Sequence, residues 1–305
     1  MHTDPALRVD AGTVRALSCE RLELGEGIRL LADGQVVLVD ILAGRLLRLD
    51  PGASPEQELT ELARLEEPLG AVAPVGPAGS GRWLAAAGTG FALLDTGPGA
   101  DPRPRWVARP LPATGPGRRM NDAVCDPAGR MWAGSMAYDG TAGAGSLYRI
   151  GPDGTVTEVL GDLTVPNGPA FSPDGRTLYL ADSARGHIDA FTVDPRHGTL
   201  HDRRPFARVD PAQGSPDGMV TDSAGRLWCA LWGGAQVRCH APDGTLLASV
   251  PLPARQPTSI CLTGRRMLVT TAFFGLTDPG PLDGAVLELA CRVSAPPTPA
   301  AAWVG

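Results

Sequence analysis

Short apolar runs, each entered through a polar turn that carries glycine, recur along this chain. Val36-Val37-Leu38-Val39 follows Ala32-Asp33-Gly34-Gln35, and Trp83-Leu84-Ala85-Ala86 follows Gly79-Ser80-Gly81-Arg82. Met131-Trp132-Ala133-Gly134 follows Asp126-Pro127-Ala128-Gly129-Arg130, and Leu178-Tyr179-Leu180-Ala181 follows Ser172-Pro173-Asp174-Gly175-Arg176. Leu227-Trp228-Cys229-Ala230 follows Asp222-Ser223-Ala224-Gly225-Arg226, and a looser copy places Met267-Leu268-Val269-Thr270 after Thr263-Gly264-Arg265-Arg266. Apolar runs of this length, bounded by turn residues, read as buried strands. In the turns Asp or Ser bonds its own backbone and Gly supplies a positive φ, so the chain reverses into an antiparallel partner. Second hairpins fit between the repeats, around Gly151-Pro152-Asp153-Gly154, around Asp194–Gly198, and around Ala241-Pro242-Asp243-Gly244. The repeating unit is thus two hairpins in succession, four strands.

The turn glycines Gly34, Gly81, Gly129, Gly175, Gly225 and Gly264 fall roughly 40 to 50 residues apart, the period of four-stranded propeller blades. Six such units predict an all-β, six-bladed β-propeller occupying residues 1–305 as a single domain. Radial repetition leaves only short, protected edges. Two β-sandwiches would also give many short strands, but nothing in that architecture demands one turn-strand unit at near-constant spacing. The stretch Ser54–Leu65, acidic and rich in helix formers, is expected to be a single helical turn or a connecting loop. Trp83, Trp132 and Trp228 occupy near-equivalent strand positions and are expected to pack in the core.

Composition narrows the function classes. Gly 39 and Pro 30 suit many turns, and 27 basic against 33 acidic residues, a formal charge of -6, argues against a nucleic-acid partner. No run of about 20 apolar residues predicts a membrane span, and Met1–Asp10 lacks the apolar core of a signal peptide, so a cytoplasmic protein is expected. The scattered cysteines, with no C-x-x-C, are expected to be mostly buried free thiols.

Polar residues that share one place in the blade but differ in type mark the candidate site. Glu26, Asn121, Asn167 and Asp217 each lie eight residues before their own blade's turn glycine (Gly34, Gly129, Gly175 and Gly225). Innermost strands line a propeller's channel, so these groups are expected to converge at one mouth. Glu26, Asn167 and Asp217 offer only oxygen donors, a set that suits calcium, magnesium or manganese, with zinc second for want of His and Cys. Singly, Asn-Gly and Asp-Gly are ordinary turn dipeptides, but each blade already has its turn eight residues on. His197 and His201 flank a hairpin turn and are expected at the surface. Ser215 and Ser259 lack a nucleophile-elbow context, and the glycine-rich stretches lack the strand-to-helix setting of a phosphate loop.

Taken in order, Leu24-Gly25-Glu26-Gly27, Val39-Asp40-Ile41, Gly90–Asp95, Arg119-Met120-Asn121-Asp122, Asp126–Met136, Pro166-Asn167-Gly168, Leu180–Ser183 and Pro216-Asp217-Gly218-Met219 resemble the regucalcin/gluconolactonase family (senescence marker protein-like lactonases) over nearly the whole chain. The resemblance implies a six-bladed propeller with one divalent metal (Ca, Mg, Mn or Zn, with Ca favoured) at the channel mouth. It implies that Glu26, Asn167 and Asp217 are the metal ligands, and that Arg119 and Asn121 hold a sugar lactone, with Asn121 also near the metal. Two departures stand out. Ile28-Arg29-Leu30 replaces the family's Pro, one residue, then Trp after Gly-Glu-Gly. Asp139 lies near the place where relatives resembling regucalcin carry a substrate-binding Glu, and its side chain is one methylene shorter.

The expectation is a metal-dependent lactonase that opens an aldonolactone or related small lactone, with Asp217 as general base and Arg119, Asn121 and Asp139 binding substrate, in a monomer or weak dimer. Two alternatives remain open: a hydrolase or isomerase for a non-sugar lactone, and a propeller that binds a ligand or partner without chemistry.

Overall fold

The structure, a computed structural model, describes residues 9–50, 52, 58–77, 79–101, 103–112 and 117–304. After β1 (Val9–Ala16) the chain lays down blade one as β2 (Gly25–Leu30), β3 (Val36–Asp40), β4 (Arg45–Leu49) and β5 (Leu59–Arg64). Blade two is β6 (Leu69–Pro74), β7 (Arg82–Ala87), β8 (Gly90–Asp95) and β9 (Arg105–Ala108). Blade three is β10 (Arg118–Cys125), β11 (Met131–Ala137), β12 (Gly145–Ile150) and β13 (Val156–Leu163), and blade four is β14 (Pro166–Phe171), β15 (Thr177–Asp182), β16 (His187–Val193) and β17 (Leu200–Arg208). Blade five is β18 (Ser215–Thr221), β19 (Leu227–Trp232), β20 (Gln236–His240) and β21 (Leu246–Pro251). Blade six is β22 (Pro257–Leu262), β23 (Arg266–Thr271) and β24 (Leu287–Cys291), completed on the outside by β1. All six sheets are four-stranded and antiparallel, and the first five are meanders of consecutive strands. The first strands β2, β6, β10, β14, β18 and β22 each pack against the next, and β22 returns to β2, so the ring is closed. That closure is a six-bladed propeller and rules out a pair of sandwiches.

Strand position explains strand composition. The inner strands are covered on both faces by neighbouring blades: every residue of β3, β14 and β22 is buried. Outer strands meet water on one side; β17 carries His201, Asp202, Arg203 and Arg204 exposed along it, charge that protects a sheet edge. Between blades lie the apolar clusters. Met120, Met131, Leu84 and Phe91 pack between blades two and three, and Trp132, Phe171, Leu178 and Leu180 between three and four. Trp132 meets Phe171 edge-on with ring centroids 5.7 Å apart. Trp83 and Trp228 are likewise buried in the core.

The repeated turns join the first and second strands of each blade, and in blades three and five one buried aspartate holds the whole turn. Asp126 Oδ1 accepts from Ala128 N (2.9 Å) and Arg130 N (3.0 Å), while its Oδ2 accepts from Arg130 Nε (2.6 Å) and Trp132 Nε1 (3.1 Å). Asp222 repeats this with Ala224, Arg226 and Trp228.

Ser54–Leu65 departs from expectation. Leu59–Arg64 is the outer strand β5, paired to β4 with Arg45 bonded to Glu61 across the pair, while residues 54–57 lie outside the described residues. Edge pairing overrides local helix preference here. The chain after β24 crosses the face that carries the repeated turns: Thr298 N donates to Leu30 O (2.8 Å), Ala301 N to Pro74 O (2.8 Å), Ala302 N to Gly129 O (2.9 Å) and Val304 N to Pro152 O (3.1 Å). Among the described residues no helix is long and apolar enough to cross a membrane. Cys125, Cys229, Cys261 and Cys291 are buried free thiols, and Cys19 is an exposed one.

Candidate metal centre and substrate cavity

Every innermost strand slips register by one residue at the same level of the channel. The slips fall between Glu26 and Arg29, Leu69 and Ala71, Met120 and Ala123, Asn167 and Ala170, Pro216 and Met219, and Pro257 and Ser259. A bulge bends a strand and re-aims the side chains beside it, and repeated around the ring it turns several of them toward one place. Glu26, Asn121, Asn167 and Asp217 all stand at these bulges. Gly168 shows why glycine follows: its φ is 54°, and a Cβ there would sit 2.3 Å from Asp217 O. The remaining blades contribute closeness instead of ligands. A Cβ on Gly70 would fall 2.2 Å from Asn121 O, and the Thr258 hydroxyl donates to Gly25 O.

Two further aspartates hold the approaches. Asp40 accepts from Glu23 N and Leu24 N (both 3.0 Å), just before Glu26, and Asp182 accepts from Thr164 N and Val165 N (both 3.0 Å), just before Asn167. Both are buried at the end of the second strand of their blades.

The result is a cavity of about 280 Å³ on the face opposite the repeated turns. Glu26, Arg119, Asn121, Asn167 and Asp217 line it together. Its walls are Leu24, Ile41, Met136, Val165, Trp232 and Phe274, with Ser183 and Ser215. Leu24 and Ile41 belong to the packed cluster between blades one and two, and Trp232 of blade five packs against it, so this wall is continuous with the core. Phe274 is 48% exposed at the rim.

Hydrogen bonding separates the two asparagines. Asn121 is fully engaged: its Oδ1 accepts from Arg119 Nη1 (2.7 Å) and its Nδ2 donates to Pro166 O (3.1 Å). Asn167 Nδ2 donates to Asp217 Oδ1 and to Ser183 Oγ (3.4 Å), whereas Asn167 Oδ1 is buried with no partner. Ser183 is itself anchored by donating to Pro216 O (2.6 Å). Glu26 Oε2 accepts from Gly27 N (2.8 Å), and the Glu26 and Asp217 carboxyls line the same cavity closely enough that each alters the other's proton affinity. Burial, then the Asp122 charge, pushes Glu26 up to about 8. Asp217 is raised well above the usual carboxylate range by burial, then by Glu26 and Asp122. Burial lowers Arg119, and nearby Tyr138, Glu26 and Asp217 offset part of that.

Two carboxyls sharing a proton-hungry, water-poor site beside an orphaned amide oxygen fit a hard divalent cation. Each oxygen gains a partner and the like charges are neutralised. Among the described residues no group of three or more His, Cys, Asp or Glu is placed to hold a metal; here the third donor is an amide. Thus Glu26, Asn121, Asn167, Asp217 and Arg119 come together, and Asp139 does not. Asp139 sits exposed in the turn after β11, where its Oδ1 accepts from Thr141 N (2.9 Å) and Thr141 Oγ1 (2.6 Å). His197 and His201 are exposed on the β16–β17 hairpin, as expected. Sequence reasoning gave no role to Ser183 or to the apolar wall, although Leu24, Ile41, Met136 and Ser183 all fall within the motifs that carry the family resemblance. It also missed the ion pair of Arg29 with Asp122 (3.0 Å), for which the signals were a charged residue in the departing Ile28-Arg29-Leu30 segment and the carboxylate that ends the Arg119–Asp122 motif.

Fold and site together define a β-propeller with a buried oxygen-donor centre at one mouth of its channel. The SMP-30/Gluconolactonase/LRE-like region matches residues 24–273, and the chain belongs to that family. The regucalcin of Danio rerio is 32% identical over 269 residues, 84% of this chain and 85% of that protein. The pentonolactonase XacC of Haloferax volcanii is 38% identical over 157 residues, 50% of this chain and 53% of its own. Among solved structures, the calcium-binding protein regucalcin of Agrobacterium tumefaciens matches with a TM-score of 0.85 at 30% identity, covering 95% of this chain and 97% of the other.

Proposed function

We propose that this chain is a metal-dependent hydrolase that opens a small lactone to its hydroxy acid. The observation that carries this reading is the meeting of Glu26, Asn167 and Asp217 in one buried cavity, with Asn167 Oδ1 unpartnered and Arg119 beside them. A relative named pentonolactonase and one described as a calcium-binding regucalcin support it. Glu26, Asn167 and Asp217 would hold one divalent cation, calcium first among those that favour oxygen. When bound, such a cation supplies Lewis-acid stabilisation of the charge that builds on a carbonyl oxygen during acyl transfer. Asp217, whose proton affinity burial and Glu26 raise, takes the proton of the attacking water as its oxygen bonds to the lactone carbonyl carbon. The same proton is returned to the ring oxygen as its bond to that carbon breaks. Arg119 orients the lactone: Asn121 holds one guanidinium nitrogen, leaving the remaining N–H groups of the fork for ring or carbonyl oxygens. The free thiols of Cys19, Cys125, Cys229, Cys261 and Cys291 suit a reducing, cytoplasmic setting.

The test follows acid release from a lactone panel for wild type and Asp217→Asn, with and without a chelator. Turnover is expected to fall on the order of 10²–10⁴-fold in the variant and to vanish with chelation. Unchanged turnover in both conditions would refute the mechanism, and a propeller that only binds its ligand would show none at any metal concentration.

One observation favours a second reading of the substrate. With Asp139 committed to its own turn and six apolar side chains walling the cavity, a polyhydroxylated ring would leave hydroxyls facing Leu24, Ile41, Met136 and Trp232. Each hydroxyl buried without a partner costs about 1–3 kcal/mol, whereas each buried methylene gains about 0.8 kcal/mol. A lactone with an apolar substituent fits this wall better. Alkyl-substituted lactones should therefore exceed glucono-lactone in kcat/KM; the reverse order would restore the sugar lactone.

A further inference from the structure

Arg29 and Asp122 form a buried ion pair for which the lactone-opening chemistry has no use. Arg29 follows Glu26 by three residues on β2. Its Nη2 donates to Asp122 Oδ1 (3.0 Å) and Ala123 O (3.2 Å), and its Nη1 to Ile28 O (3.1 Å) and Ser259 Oγ (3.4 Å). One side chain thereby ties blades one, three and six together, with side-chain exposures of 8% and 1% for the pair. Asp122 adjoins Asn121 and occupies the bulge place that Gly27, Gly168 and Gly218 take in blades one, four and five. Its Oδ1 also accepts from Ala123 N (2.8 Å), while its Oδ2 is buried with no partner. Three carboxylates, Glu26, Asp122 and Asp217, are therefore buried around the channel with two guanidiniums, Arg29 and Arg119.

We propose that the Arg29–Asp122 pair is a charge clamp that sets the affinity of the Glu26–Asn167–Asp217 site for a divalent cation; the inference rests on the cation-site reading above. As a unit the pair adds no net charge. Removing either partner leaves a full charge in a region where water and salt screen little. The field of Asp122 reaches both Glu26 and Asp217, and that of Arg29 reaches Glu26. The two partners are thus opposed controls on one site. A lone Asp122 draws a cation in, and a lone Arg29 repels it. Groups just outside a metal's ligands commonly change its affinity about 10–100-fold.

The test titrates calcium chloride into the chelator-stripped full chain by calorimetry at fixed ionic strength. Arg29→Met is expected to tighten calcium binding on the order of tenfold, and Asp122→Asn to weaken it about 10–100-fold. The double variant Arg29→Met/Asp122→Asn should return to within about threefold of wild type, because the two charges leave together. Arg29→Lys keeps the charge without the fork and should bind as wild type does; should Arg29→Met fail to fold, this variant, Asp122→Asn and the double variant still decide the matter. A purely structural pair would lower the melting temperature of both single variants while shifting calcium affinity in neither, or in the same direction in both, and either result overturns the clamp. Failure of the wild type to bind calcium would overturn the cation site and the clamp with it. Binding by the wild type with unshifted variants would overturn the clamp alone.

Discussion

Glu26 is a carboxyl held where water can scarcely reach it, and its proton affinity is the clearest sign of the site's character. Burial, then the Asp122 charge, pushes its pKa up to about 8 against an ordinary 4.5. Between those values the folded chain keeps a proton that the unfolded chain has released, so stability is fully present at low pH and is lost as pH rises through that window. The chelated protein is expected to show a melting temperature that falls from about pH 4.5 to about pH 8, with Asp217, also raised, adding to the slope. Calcium should flatten the slope, because a bound cation stabilises the ionised form. Glu26→Gln should flatten it too, giving a chelated protein more stable at pH 8 than wild type yet unable to hold calcium. A melting temperature that rose with pH in chelator would contradict this account of the site. Much of this site was legible in the sequence, because blade repetition turns a fixed offset from a glycine into a place in space. Asp139 and the Arg29–Asp122 pair were not. A loop residue's direction is set by its own turn, and partners 93 residues apart are brought together only by the closed ring.

Strand-and-turn elements carry the same contrast between pattern and setting. The repeated turns read alike in sequence, yet their energetic roles differ with burial. Asp222 is almost wholly buried and holds two backbone N–H groups, Arg226 Nε and Trp228 Nε1, so Asp222→Ala strands a half-buried guanidinium and a buried indole N–H. The expected cost is about 3 kcal/mol or more, read as a lower denaturant midpoint with kcat/KM unchanged. Asp174, in the blade-four copy, is exposed and holds Arg176 N and Ser172 Oγ, so Asp174→Ala should cost under about 1 kcal/mol. Equal losses in the two variants would mean that turn geometry alone, not the buried acceptor, sets the stability. β5 was hidden from the sequence for a related reason. Leu59–Arg64 carries Glu and Arg at helix-like density, and only the waiting edge of β4, with Arg45 to meet Glu61, makes it a strand.

A closed ring needs something to hold it shut, and this chain does so at both ends. β1 supplies the outer strand of blade six, with Val14 and Ala16 packing on the cluster that holds Leu287 and Leu289. Periodicity could not reveal this, because β1 precedes the first repeat and pairs with the last. The segment after β24 makes the second closure, bonding in turn to blades one, two and three across the face away from the cavity. Pro296, Pro297 and Pro299 roof the space over Arg29 and Cys125 there. The two closures should fail differently. Deleting residues 1–16 leaves β24 as a bare edge and removes the antiparallel bonds that join the ends of the ring, so blade six loses its cover. That truncation is expected to abolish cooperative unfolding and to aggregate, taking lactone turnover and calcium binding with it. Deleting residues 295–305 removes backbone bonds and the packing of Ala301 and Trp303 on the blade two–three cluster but, among the described residues, no strand, and leaves every residue of the cavity in place. It should lower the melting temperature while calcium still binds, and open the floor beneath Arg29 to water. Water there screens the Arg29–Asp122 pair, so the response of calcium affinity to Asp122→Asn should shrink in the shortened chain. Full loss of calcium binding on C-terminal truncation would show instead that the tail, and not the β1–β24 pairing, keeps the inner strands in register.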